Sequence, residues 1–194
     1  MAKIGLSDFK YAVFSNEDTT TAGTPIYQSE GVSPGRAISC SVSITSNDAK
    51  LYADDALAES DKSFQSGTVT IGIDEDDIQT MGTLLGHEVK VGNDPASTYT
   101  LIRKANDIAP YVGLGRIITK MVNGVYKYKV EFLYKVKFSE PKADNSTRGE
   151  STEFGTYELE GSIATLSDGK WSVAQLFDTK AAAQTYLASL FQTT

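Results

Sequence analysis

A chain of 194 residues that is 40% hydrophobic and 22% charged holds enough apolar side chains for the core of one domain, taken as residues 1–194. Sixteen glycines, ten tyrosines and eight phenylalanines, against three methionines, favour short strands and turns over a helical bundle. A net charge of −7 and a pI near 4.7 argue against adhesion to nucleic acid, which needs clustered cations to neutralise phosphates.

Met1 to Ser7 lacks the apolar run of a signal peptide, and no stretch reaches the roughly 18 apolar residues of a membrane span. A soluble cytoplasmic protein without membrane insertion is expected. Phe9 to Phe14 reads as one strand and the polar tract Ser15 to Thr24 as a loop, within an N-terminal arm of about residues 1–36. From Ala37 to Thr45, Ile38, Cys40, Val42 and Ile44 alternate with Ser39, Ser41, Ser43 and Thr45. A half-buried strand with a hydroxyl-rich solvent face has that pattern.

Residues 46–66 carry Asp48, Asp54, Asp55, Glu59 and Asp61 around an apolar knot of Leu51, Tyr52, Ala53, Ala56 and Leu57. A loop this long inside one domain usually has a function. Alternation resumes at Thr68 and Thr70, opposite Val69, Ile71 and Ile73, so two strands flank the loop as an extended hairpin.

Asp74 is expected to cap a short helix over residues 74–85, with Gly86 ending it and Ile78, Met81, Leu84 and Leu85 forming its buried stripe. Gly113 to Val122 and Tyr126 to Ser139 flank Asn123-Gly124, a strong hairpin signal. The second run would span about 45 Å if unbroken, so it extends beyond the core or bends at a bulge. Phe154 to Leu166 reads as another strand, followed by a turn at Ser167 to Lys170. Within a C-terminal segment of about 167–194, a helix is expected over 179–191, with Ala183, Tyr186, Leu187 and Leu190 on one face. The expected fold is mainly β with minor α: two packed antiparallel sheets, as a β-sandwich or open barrel, with two helices.

Chemistry-bearing constellations are sparse. His87, the one histidine, reads as an ordinary surface residue and not as a catalytic base. Cys40 has no second cysteine to pair with or to share zinc, and reads as a small core residue. Asp74-Glu75-Asp76-Asp77 lacks the spacing of a calcium loop and fits a helix start. Gly113-Leu114-Gly115 lacks the third glycine of a nucleotide loop and fits close packing. No enzyme and no cofactor or metal is expected.

Four segments taken in order resemble the major tail protein family of long-tailed bacteriophages, of the non-contractile type. They are Lys3 to Ser7 before Tyr11-Ala12-Val13, Leu51 to Asp55, Ala109 to Gly113, and Val136 to Pro141. The resemblance covers nearly the whole chain. It implies a tail-tube subunit in the virion tail, assembled in the host cytoplasm as hexameric rings stacked around a channel for the genome. It also implies tape-measure, tail-terminator and distal tail proteins as further partners, and DNA that passes without specific binding.

On that resemblance, Leu51, Tyr52, Ala53, Asp54, Asp55 and Leu57 belong to the loop that contacts the next ring, with Leu51, Tyr52 and Leu57 as buried anchors. Ser39, Ser41, Ser43, Thr45, Thr68 and Thr70 are the candidate channel lining, because a lumen for sliding DNA should offer few cations and no stacking platforms. Lys127, Lys129, Lys135 and Lys137 would form a basic stripe along one strand. Either that face points away from the channel, or Glu158 and Glu160 offset it. The alternatives are a tube subunit of a phage-derived bacteriocin or contractile injection machine, and a monomeric β-sandwich adhesion module.

Overall fold

In the computed structural model, residues 2–53, 56–74, 77–92, 98–141 and 157–193 are described, with residues 2, 49–53 and 56–61 described by their backbone alone. The elements are β1 (Ala2–Glu17), β2 (Pro25–Tyr27), β3 (Ala37–Ser46), β4 (Ala49–Ala53), β5 (Ala56–Asp61), β6 (Phe64–Ile73), α1 (Ile78–Leu85), β7 (Glu88–Val91), β8 (Tyr99–Ile102), β9 (Tyr111–Val122), β10 (Val125–Phe138), β11 (Tyr157–Ala164), β12 (Ser172–Phe177) and α2 (Lys180–Leu190). The fold is mainly β with minor α, and every described strand pairing is antiparallel.

The organising element is β10. Its whole length pairs with β9, while its other edge pairs first with β12, through Tyr128–Leu133, and then with β11, through Lys135–Phe138. A bulge between Leu133 and Val136 separates the two halves; a bulge bends its strand and raises the local twist. The ladder β2-β1-β9-β10-β11-β6-β3 therefore folds over at β10 into two layers. Asn123 and Gly124, at φ 51° and 78°, make the two-residue turn between β9 and β10 that their side chains favour.

Between the layers, Phe9, Tyr11, Val112, Leu114 and Leu133 meet Val69, Ile71, Ile73, Leu159 and Ile163, with Met81, Leu84 and Leu85 of α1 in the same cluster. A second cluster lies on the opposite side of the β1–β9–β10 sheet, where Ala183, Leu187 and Phe191 cover Ala12, Tyr27, Ile117, Val130 and Phe132. Glycines permit the close approach of that helix and its partners: a Cβ at Gly115 would overlap the side chains of Leu187 and Phe132, and one at Gly113 the Tyr27 ring.

Several expectations require correction. Within the expected arm of residues 1–36, residues 2–17 form β1, which sits inside the sheet beside β9, with one bulge between Lys3 and Gly5 and another between Ser7 and Lys10, where Asp8 stands at φ 50°. The cap of α1 is Asp77, not Asp74. Asp77 Oδ2 accepts from the Thr80 backbone N–H at 2.9 Å and from the Thr80 hydroxyl at 2.8 Å, a local pairing Asp74 cannot make. Asp74 instead accepts from the backbone N–H of Arg36 at 2.8 Å, while Glu75 and Asp76 lie outside the described residues. Residues 46–66 are no loop: β4 and β5 form a separate two-stranded ribbon between β3 and β6. The α2 helix starts at Thr179 as expected, its hydroxyl accepting from Ala182 N–H at 3.3 Å.

Candidate functional site

The six channel-lining candidates converge on one surface. Ser41 lies directly opposite Thr70, Ser43 opposite Thr68 and Thr45 opposite Ser66, while Ser39 faces Gly72. Direct cross-strand partners share a face, so β3 and β6 present their hydroxyls side by side. The row continues onto β11, where Thr70 faces Glu160 and Thr68 faces Ser162, and ends on β10 at Lys137 opposite Ser162. Ser39, Ser41, Ser43, Thr45, Thr68, Glu158, Glu160 and Ser162 are all exposed. The face is thus hydroxyl-rich, with two carboxylates on β11 and with Lys135 and Lys137 at its β10 margin.

The opposite face of β3 is less covered than its alternation suggests. Ile38 is 52% exposed and Ile44 38% exposed, and Cys40 and Val42 are half-buried. Ile38 is the extra residue of a bulge between Ala37 and Ser39, where Ala37 takes the position opposite Ile73, and Ile44 lies on β3, the last strand of the described ladder.

Of the ring-contact candidates, Leu51, Tyr52, Ala53 and Leu57 share the β4–β5 ribbon, with Tyr52 opposite Leu57 and Leu51 opposite Glu59. Asp54 and Asp55 lie outside the described residues, as do the side chains of the expected anchors Leu51, Tyr52 and Leu57.

The lysine stripe does not exist as one face. The β10 bulge shifts the alternation, so Lys127 and Lys129 project on the interlayer side while Lys135 and Lys137 project on the other. Lys127 pairs with Asp178, and Lys129 with Glu131. Lys135 lies over the rings of Phe14 and Tyr111, at 4.9 and 5.0 Å, and Lys137 over Tyr111 at 5.3 Å, where the ring faces attract the ammonium groups. The contacts of these lysines run to Asp178, Glu131 and the two rings and not to Glu158 or Glu160.

At the open corner of the two layers lies a cleft of about 510 Å³, bordered by Lys3, Cys40, Arg116, Lys129, Glu131 and Trp171 among others. Glu131 Oε2 accepts from Arg116 Nη2 at 2.6 Å and Nε at 3.0 Å. Burial by itself would raise the Glu131 carboxyl, but the bonds from Lys129 and Arg116 outweigh it and hold the group below the usual carboxylate range. Cys40 is half-buried here and not a core residue. Its sulfur faces Arg116, and burial pushes the thiol up despite that neighbour, so it stays protonated at neutral pH.

His87 is not a surface histidine. Its side chain is 6% exposed, with Nδ1 at 2.8 Å from Asp107 Oδ2 and Nε2 on Glu140 Oε1. Both ring nitrogens are occupied by carboxylates, which ties the end of α1 to the segments before β9 and after β10. The short strands β7 and β8 and the edge strand β12 carry too few alternating residues to stand out in the sequence. Among the described residues no group of three or more His, Cys, Asp or Glu side chains could hold a metal ion, and no helix is long and apolar enough to cross a membrane. The chain matches no protein-family model and no curated protein.

Proposed function

We propose that this chain is the structural, non-enzymatic subunit of a phage tail tube, which assembles into stacked hexameric rings around a channel for genome passage. The observation that carries the reading is the hydroxyl face of β3, β6 and β11. Across three adjacent strands it presents Ser, Thr and Glu side chains to solvent, while the reverse side of β6 and β11 is core. A sheet that is polar on one side and packed on the other suits the wall of a water-filled tube. On these three strands the face offers phosphates no cation and bases no exposed aromatic ring; Lys137, with Tyr111 opposite it, stands at the β10 margin.

The outer edge of β3 supports the same reading. Among the described residues no further strand pairs with it beside the exposed Ile38 and Ile44, and a neighbouring subunit would cover both. Negative-stain electron microscopy of the purified chain at rising concentration, with mass photometry alongside, tests the proposal. Rings or tubes of uniform bore are expected; a stable monomer under all conditions, with or without other tail components, overturns it.

A further inference from the structure

The cleft at the open corner of the two layers, about 510 Å³ in volume, falls in the size range in which proteins enclose small organic ligands. Its border carries three cations, Lys3, Arg116 and Lys129, against one carboxylate, Glu131, in a chain whose net charge is −7. The Cys40 thiol, which burial keeps protonated, adds no charge. A concave surface with an excess of one sign focuses its field and draws in counter-ions.

Glu131 does not exhaust these donors. A guanidinium has five N–H groups and an ammonium has three. Arg116 directs Nε and Nη2 at Glu131, and its Nη1 faces the carbonyl and the sulfur of Cys40. Lys129 sets its ammonium on the same carboxylate. Lys3 is exposed and has no acidic partner among the described residues.

Much of the remaining border is apolar, with Trp171, Val42, Leu114 and Leu133. Phe64 is stacked on Trp171 at 5.1 Å, the two planes 15° apart, and the Trp171 carbonyl accepts from the Tyr134 backbone N–H at 3.1 Å. The indole is therefore held in place from one side, while its remaining surface meets the cleft. An aromatic wall of this kind binds planar rings by stacking, whatever their substituents.

We propose that this cleft binds a small organic anion made of a planar ring joined to a phosphate, as in a nucleoside monophosphate, with the ring on Trp171 and the phosphate on Lys3 and Lys129. A phosphate monoester carries a charge of roughly −1.5 to −2 at neutral pH, which matches three cations less one carboxylate. Such a site neither requires nor excludes assembly into a tube.

Trp171 is the chain's one tryptophan, so its emission reports on the cleft directly. Adenosine 5′-monophosphate titrated into the full-length chain at low salt should quench or shift that emission to saturation, with a dissociation constant of about 1 mM or below. Adenosine, which keeps the ring, and inorganic phosphate, which keeps the charge, should each bind about tenfold more weakly or worse. Lys3→Gln should leave the circular dichroism spectrum unchanged and weaken the nucleotide about threefold or more, and added salt should weaken it in the unaltered chain. Trp171→Leu, followed by calorimetry, should weaken it as well. An emission unchanged up to about 10 mM nucleotide, ten times the expected constant, overturns the proposal. Equal affinity for the nucleotide and for inorganic phosphate overturns it too, since the ring then makes no contact. So does a Lys3→Gln chain that binds as the unaltered one does, since the anion then sits elsewhere.

Discussion

The phenolic hydroxyl of Tyr27 donates to the backbone carbonyl of Tyr134 at 2.8 Å, and so ties the three-residue strand β2 to the bulge of β10. Tyr27 is fully buried, its ring set edge-on to Phe14, Phe132 and Phe191 at 6.0, 5.9 and 5.6 Å. That bulge is where β10 passes from one layer to the other and where its lysines change sides. A small edge strand therefore helps to hold the turning point of the sheet.

Tyr27→Phe should lower stability by about 1–3 kcal/mol, because it leaves a buried carbonyl without its donor, and Tyr27→Ala by about 3–5 kcal/mol, because it opens a cavity. Burial, and behind it the neighbouring Tyr134, raises the Tyr27 phenol far above its ordinary value. Its contribution is thus complete below the unfolded phenol pKa of about 10 and declines as pH rises above it. Thermal unfolding followed from pH 8 to 11 should show a shallower alkaline loss for Tyr27→Phe than for the unaltered chain; equal slopes would refute the assignment.

The Asp77 cap gives a second measurable contrast. Asp77→Ala should cost about 1 kcal/mol through loss of the bonds from Thr80, whereas Asp74→Ala, which loses an exposed bond from Arg36, should cost less. Burial tends to raise the Asp77 carboxyl, yet its bonds from Thr80 and Gln79 bring it below the ordinary aspartate value. Its stabilisation is therefore present above about pH 4 and lost as pH falls through the lowered value. Chemical denaturation of both variants at pH 7 and pH 3 should show the gap between them shrinking at the lower pH.

Glu131→Gln should destabilise by roughly 1–3 kcal/mol, since Arg116, with its side chain 12% exposed, loses its counter-charge in a partly desolvated site. The carboxyl is held below the usual range in the folded chain, so the native pair stabilises above the unfolded glutamate pKa of about 4.3 and fades under more acid conditions. Comparison of urea midpoints at pH 7 and pH 3 checks the sign: the mutant penalty should be large at the first and small at the second.

The hydroxyl face predicts a gain of function. Ser41→Lys with Ser43→Lys alters exposed positions whose side chains face away from the core, so folding by circular dichroism should change little, within about 0.5 kcal/mol. Tubes assembled from that variant should retain double-stranded DNA in a salt-sensitive manner, as cations placed on a lumen wall would, while unaltered tubes should not. Equal retention by both would place this face outside the channel.

Local chemistry made several features readable in the residues themselves. Strict alternation put hydroxyls opposite Val69, Ile71 and Ile73, Asn123-Gly124 supplied the left-handed turn, and Thr179 capped the last helix, because each depends on neighbours a few residues away. What the tertiary structure decided depends on partners far along the chain. Alternation says which residues of a strand share a face, but not which strands lie side by side; pairing β3 with β6 and β6 with β11 is what merges three short hydroxyl rows into one surface. Alternation also fails at a bulge, where one extra residue reverses the faces, and so the apparent stripe from Lys127 to Lys137 became two surfaces on opposite sides of β10. A bulge at Ile38 and the edge position of Ile44 likewise left both exposed, and the carboxylates of Asp107 and Glu140 enclosed His87 from segments 20 and 53 residues away. Periodicity is a property of short stretches, whereas burial and charge pairing are set by which stretches the fold brings together.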